Sequence, residues 1–549
     1  MQRWLKGVLT LGLMAAPLWA SAQAAGSDGS PVTRVAIDGG ALRGSSALNV
    51  TSFKGIPYAA PPTSDNRWRA PQPVPPWQGV RDATAFGPDC MQRPDPSDAA
   101  PLGVTPAENC LYLNVWAPSS AIPDPQADRA PTDYPVLVWI HGGGYVNGGT
   151  SAPVYDGSAF ARDGVILVSL NYRLGRFGFF AHPALSHEQQ GQTPVGNYAI
   201  MDQIAALNWV QRNINAFGGD AGNVTIMGES AGGASVLDLT GTPAAHGLFQ
   251  RAVVMSGGGR ALMGPMPALA EDQPKHPSAE TIGENFARRH GIEGQGQGHD
   301  ALKALRQLPA KQIVDGLNMS TLMSSRDEPR TWAGGPIRDG ELVSDTPEGI
   351  YRAGLQQHVP MLIGTTDADL GFSAADSMDA LFAPFGEDAD RARTLYDPEG
   401  SDDVQKVGQR VGMDRMMTEP ARFIADQVAT SGEPVWRYRF SHVALEVRDS
   451  WPGAVHASEL PYLFRTLNAR YDRLDDSDRA MAWQFHRYVV NFARDGNPNG
   501  GGAPTWPLHT PLSNLMMDFS QDQGPVARQD PGQARLDLIK QHLTPAPNH

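Results

Sequence analysis

Apolar and polar positions follow two rhythms along the 549 residues of this chain. Near the start, β-rich runs broken by glycine pairs, "VTRVAIDGGALRGSSALNVTSFKGIPYA", predict a β-meander. Further on, "YPVLVWIHGGG" (134–144) and "GVILVSLNYR" (164–173) are apolar almost without interruption. Runs of that kind fit central strands covered by helices on both faces. "NVTIMG" (223–228), "RAVVMSG" (251–257), "VPMLIG" (359–364) and "VWRYRFSH" (435–442) predict further strands. Helical spacing appears in "DQIAALNWVQRNINAF" (202–217) and "DRMMTEPARFIADQVATSG" (414–432), and in "MAWQFHRYVVNFARDG" (481–496), which Gly496 would close. Strands alternating with helices predict an α/β fold around a mostly parallel sheet. Between about 260 and 350 the strand rhythm stops, and "SAETIGENFARRHG" and "ALKALRQL" read as helices of an insertion or cap.

The first residues change the picture. "MQRWLKGVLTLGLMAAPLWASAQAA" has a basic start (Arg3, Lys6), an apolar stretch and then small residues. That is the form of a secretory signal peptide, with cleavage after Ala22 or as late as residue 25. The expectation is a leader over 1–22 and one large domain over 23–549, the alternative being an N-terminal helix of the fold. No other apolar run is long enough to span a bilayer. Export implies an oxidising compartment, in which Cys90 and Cys110 would pair. Closing such a loop is worth about 3 kcal/mol in the chain-entropy account; two buried free thiols are the alternative. The formal net charge is −14 and no Lys/Arg cluster stands out, which argues against a nucleic-acid partner.

Candidate chemistry centres on "IMGESAGGAS" (226–235), where Ser230 sits in a Gly-x-Ser-x-Gly pentapeptide between a buried strand and a helix-like segment. That context predicts a sharp strand-to-helix turn that exposes the hydroxyl. Gly228 and Gly232 are then needed because a Cβ would collide with the neighbouring strand and helix. The helix behind the serine favours negative charge in front of it. "HGGGY" (141–145), at the end of another strand, offers free backbone N–H groups for an oxyanion hole together with that of Ala231. A phosphate cradle is the competing reading of a Gly-rich loop, but no such loop ends in Lys-Ser or Lys-Thr.

A serine needs a base. Beyond residue 400 the candidates are His442, His456, His486, His509, His542 and His549. His456, in the loop "WPGAVHASELPYLF", has the best position, because loops at strand ends carry the chemistry of such folds. For the third member, "VPMLIGTTDADLGF" offers Asp367 and Asp369 at a strand end, and local sequence does not separate them. Glu229, beside the serine, reads as a buried, hydrogen-bonded structural carboxylate.

Taken together, "FKGIPYAAPP", "AENCLYLNVW", "HGGGY", "NYRLGRFGF", the long segment from "GNYAIMDQ" to "GESAGGAS", "HASELPYLF" and "DGNPNGGGAPTWP" resemble the type-B carboxylesterases. This is the α/β-hydrolase family that includes cholinesterases and bacterial p-nitrobenzyl esterases. The resemblance covers nearly the whole chain after the leader. It implies an α/β-hydrolase fold, with helical insertions shaping the active-site gorge, as one catalytic domain. It places the nucleophile at Ser230, the base at His456, the oxyanion donors at Gly143, Gly144 and Ala231, and a disulfide at Cys90–Cys110. The family's acid, usually a glutamate in a segment like "GTTRDEG", falls on Asp369 of "GTTDADLG". Here the acid is one methylene shorter and Leu370 replaces the usual glycine, so Asp367 stays as the fallback. The segment Met91–Asn109 lacks any aromatic residue, which removes the ring that would stack on choline.

The implied function is exported serine carboxylesterase, periplasmic or extracellular, acting on a small-molecule ester without metal or organic cofactor, as a monomer or weak oligomer. Two alternatives remain. One is a family member specialised for an amide, a polyester or a mycotoxin-type ester. The other is a non-catalytic binding protein on the same fold.

Overall fold

The computed structural model describes residues 32–123, 133–191, 193–260, 265–292, 299–322 and 329–542. The expected leader (1–22), the Gly/Gln run at 294–298 and His549 lie outside the described residues. Five strands come first: β1 (Val32–Ile37), β2 (Gly40–Ala47), β3 (Val50–Pro57), the short β4 (Val80–Asp82) and β5 (Tyr112–Pro118). They are followed by β6 (Tyr134–Ile140), β7 (Ile166–Leu170), the two-residue pair β8 (Phe179–Phe180) and β9 (Gly196–Asn197), β10 (Gly219–Glu229) and β11 (Arg251–Met255). The last four are β12 (Met361–Thr366), β13 (Val435–Ser441), β14 (Leu515–Ser520) and β15 (Gly524–Gln529). Thirteen strands form one sheet in the order β1-β2-β3-β5-β7-β6-β10-β11-β12-β13-β14-β15, with β4 beside β2. From β7 to β14 every neighbouring pair is parallel, and the flanks are mainly antiparallel. This is the expected α/β-hydrolase arrangement, its meander forming one flank.

The apolar runs are strands because both of their faces are covered. Along β6, Val136, Val138 and Ile140 enter one hydrophobic cluster while Leu137 and Trp139 enter the cluster on the opposite face. A fully buried side chain of this size contributes about 1.5–3 kcal/mol, so the two-residue alternation is strongly enforced. The insertion expected at 260–350 contains helices Ala279–Arg289, His299–Gln307, Ala310–Val314, Met319–Leu322 and Pro347–Ala353.

A further helical layer, Met378–Met413 with the C-terminal helix Gln533–His542, packs around Phe382, Phe385 and Tyr396. It went unread in the sequence, as did β14 and β15. Helix Asp476–Asp495 starts five residues earlier than expected, because Asp475 and Asp478 cap each other's backbone reciprocally. Gly496 closes it at φ 71°. Cys90 and Cys110 are joined in a disulfide. No helix among the described residues is long and apolar enough to cross a membrane.

Candidate active site

Ser230 stands where β10 ends and helix Ala231–Gly241 begins. Its backbone has φ 56° and ψ −124°, a region that costs on the order of 1–3 kcal/mol for a residue with a side chain. Surrounding structure holds it there. Its N–H donates to the Met255 carbonyl (2.9 Å), and its own carbonyl accepts from Ala234 N–H (2.9 Å). A Cβ on Gly228 would lie 2.3 Å from the Gly232 carbonyl, and one on Gly232 would lie 2.1 Å from the Ile140 oxygen. The glycines therefore let strand, turn and helix touch, as the sequence pattern implies.

The glycine loop after β6 closes on the serine. A Cβ on Gly142 would come within 3.0 Å of Ser230 Cβ. Gly143 and Gly144 adopt φ 105° and 61°, open to glycine at little cost. Among the described residues, the N–H groups of Gly143, Gly144 and Ala231 donate to no protein acceptor. Three backbone donors thus stand free near the hydroxyl. His141, at the start of the loop, is buried and stacks on Tyr172 with ring centroids 4.4 Å apart. Burial pushes its pKa down to about 4, so it stays neutral.

The two aspartates separate clearly in three dimensions. Asp369 Oδ1 accepts from His456 Nδ1–H at 2.6 Å and from Leu370 N–H at 2.7 Å. Its Oδ2 accepts from Ser256 Oγ–H at 2.6 Å and from Thr366 N–H at 3.1 Å. Burial alone would raise its pKa, but His456 and these donors outweigh it and hold the carboxyl below the ordinary aspartate value. Asp367 instead ties the two loops together: it accepts from Ala454 N–H (2.7 Å) and from Arg439 Nη2–H (3.2 Å). A parallel bridge between Ala368 and Val455 completes that fastening. The shorter acid therefore reaches the imidazole because its loop is pinned directly to the histidine's loop.

The other histidines are held elsewhere. His442 bonds Asp478 (2.8 Å), His486 the Leu463 carbonyl (2.6 Å), His509 Asp426 (2.9 Å) and His542 Asp388 (2.9 Å). His456 alone among the described candidates meets Asp369. Its Nε2 makes no hydrogen bond and lies 3.2 Å from Glu229 Oε1. No hydrogen bond joins Nε2 to Ser230 Oγ; such catalytic bonds often tighten only with substrate in place.

Glu229 departs from the expectation. It is buried, but Oε1 has no hydrogen-bond partner and faces the imidazole instead. The nearby Glu459 is fully buried, and neither of its oxygens is hydrogen-bonded. Burial, outweighing the attraction of His456, pushes the Glu229 carboxyl up to about 7. Burial, together with the Glu229 and Asp369 carboxylates, pushes that of Glu459 up to about 8. Burial disfavours the charged imidazole of His456, but Glu229 and Asp369 overcome it and raise its pKa to about 9.

The pattern of the Carboxylesterase family matches residues 31–404 and 388–537. The chain belongs to the carboxylesterase family. It is 34% identical over 498 residues to the para-nitrobenzyl esterase of Bacillus subtilis (strain 168), covering 86% of this chain and 91% of that protein. It is 32% identical over 490 residues to a fumonisin B1 esterase of Sphingopyxis macrogoltabida, covering 86% and 84%. A solved structure of a PNB esterase superposes with a TM-score of 0.74 at 31% identity, covering 93% of this chain and 99% of that one. The chain is thus a carboxylic ester hydrolase of the type-B serine kind.

In this esterase the serine opens onto a cavity of about 270 Å³. Gly144, Tyr145, Ala231, Asp238, Ser256 and Leu370 line it beside Ser230. Leu370 thus contributes an apolar wall. Sequence reading missed Ser256, although it follows the C-terminal end of β11 as Ser230 follows that of β10 and Asp369 that of β12. It also missed Glu459, which nothing local distinguishes from a surface glutamate.

Proposed function

We propose that Ser230 is the nucleophile of ester hydrolysis, His456 its general base and Asp369 the acid that orients the imidazole. The observation that carries this reading is the 2.6 Å bond from His456 Nδ1–H to an Asp369 carboxylate fixed by three other donors. It commits Nδ1 and leaves Nε2 for the serine proton. As Oγ attacks the ester carbonyl, Nε2 takes that proton. The oxyanion then binds the N–H groups of Gly143, Gly144 and Ala231, each such donor being worth about 10²–10³ in rate. The alcohol leaves with the proton from His456, and water releases the acid by the same route. Hydrolysis of p-nitrophenyl esters from acetate to dodecanoate tests the assignment. Ser230→Ala should lose at least about 10⁴-fold in kcat with its melting temperature kept; a variant that retains turnover refutes the nucleophile.

Residues 23–549 would act as one catalytic unit, monomeric or weakly associated. The basic, apolar and small-residue succession at the N-terminus supports export to the periplasm or medium, and the Cys90–Cys110 disulfide suits an oxidising compartment. A mature protein beginning at Gln23 is the expected result of N-terminal sequencing; one retaining Met1 overturns export. A specialised ester is compatible with the same machinery, since one relative bears the name fumonisin B1 esterase.

A further inference from the structure

The cavity before Ser230 is walled largely by apolar side chains, including Met266, Met319, Leu322, Met416 and Met417. Two arginines also line it, and their surroundings differ. Arg260 is neutralised. Its Nε and Nη2 donate to Glu419 at 2.7 and 2.9 Å, its Nη1 meets Glu348, and its guanidinium stacks 4.1 Å from the Phe423 ring centre. Arg330 has no acid. Its Nε donates to the Trp332 carbonyl (2.8 Å) and its Nη2 to the Ala333 carbonyl (2.6 Å). Among the described residues it joins no ion pair.

Backbone carbonyls fix a guanidinium in position but leave its charge standing. Burial lowers the pKa of Arg330 from the ordinary arginine value, the mark of a poorly solvated cation. The only acid lining the cavity among the described residues is Asp238, whose Oδ2 lies 3.5 Å from the Tyr145 hydroxyl. Burial pushes that carboxyl up to about 7, so near neutrality it holds much of its proton and is a weak counter-charge. A partly desolvated cation without a partner is costly to maintain. One that lines a substrate cavity is offset when the substrate brings the anion, and guanidinium suits a carboxylate.

We propose that Arg330 determines specificity by binding a carboxylate that the substrate carries in addition to its scissile ester. The preferred substrates are then esters with an anionic acyl or alcohol part. This rests on the ester-hydrolase reading of Ser230. Two matched probe pairs test it with the full-length mature enzyme. On the acyl side these are 4-nitrophenyl hemiadipate and 4-nitrophenyl hexanoate; on the alcohol side, 4-carboxyphenyl butyrate and phenyl butyrate.

The readout is the anionic-to-neutral ratio of kcat/KM, which a general loss of stability or activity leaves unchanged. In Arg330→Gln at least one ratio should fall roughly ten- to hundredfold. Arg330→Lys should recover part of the fall. Neutral esters turned over through Ser230 with both ratios unmoved in Arg330→Gln overturn this inference and leave the esterase assignment intact. Wild type inert toward all four probes overturns both.

Discussion

Replacing Glu229 by glutamine should move the acidic limb of the pH–rate profile. In the proposed mechanism His456 must be neutral to accept the serine proton, so kcat/KM should rise as it deprotonates. In the wild type, Glu229 Oε1 lies 3.2 Å from His456 Nε2. Two full charges at that separation interact by about 5 kcal/mol at an effective dielectric constant of 20. The realised effect is smaller, because burial opposes the imidazolium and because Glu229, pushed up to about 7, is only partly charged near neutrality. The rise of His456 from 6.5 to about 9 corresponds to roughly 3 kcal/mol in favour of the protonated ring. Glu229 is the largest of the contributions that raise it, with Asp369 next. Glutamine keeps the shape and removes the charge. A lower base pKa leaves more neutral imidazole at any pH below it, so the half-rise should shift acidward by about one pH unit or more. The assay is kcat/KM for a phenyl ester from pH 5 to 10 in a pH-stat, read as apparent values of the coupled group. The plateau rate is free to change, since the charge also acts on the oxyanion. A limb that stays in place in Glu229→Gln, or a wild-type limb at or below 6.5, refutes the reasoning.

The two aspartates should separate by kind of damage. Asp369→Asn should lower kcat by about 10⁴-fold by presenting the wrong imidazole tautomer. Asp367→Asn should cost far less in kcat and lower the melting temperature, because it loosens Arg439 and the Ala454 turn; equal kinetic losses would contradict the division. Glu459 should govern alkaline stability. Its folded pKa, about 8, lies above the ordinary glutamate value of 4.5, so its contribution to stability is complete below 4.5 and is lost as pH rises through about 8. Glu459→Gln escapes that loss, and the difference in melting temperature should grow in the variant's favour from pH 5 to 9; a difference independent of pH would count against it.

What the chain declares locally and what it does only once folded divide along physical lines. Strands β6, β7 and β12 were legible because burial on both faces demands unbroken apolar sequence. Ser230 was legible because its turn forces glycine at 228 and 232, where a Cβ would strike backbone at 2.3 and 2.1 Å. The start of helix Asp476–Asp495 was missed because an aspartate pair does the capping that Ser/Thr with Glu usually signals. Asp367 and Asp369 share one strand end and one spacing. They part only through residues distant in sequence, Ser256 and His456 on one side, Arg439 and Ala454 on the other. Glu229 misled for the same reason: hydrogen bonding is the usual answer for a buried carboxylate, and here an imidazole's charge takes its place. The substrate-facing wall lies furthest from local rules, since its side chains come from the 260–350 insertion, the loop after β12 and the segment around Met416. Reaction class is therefore written into the strand ends, where backbone geometry restricts the residues. The selectivity proposed above depends on distant segments meeting, and the lack of an acid beside Arg330 among the described residues is visible only in the folded chain.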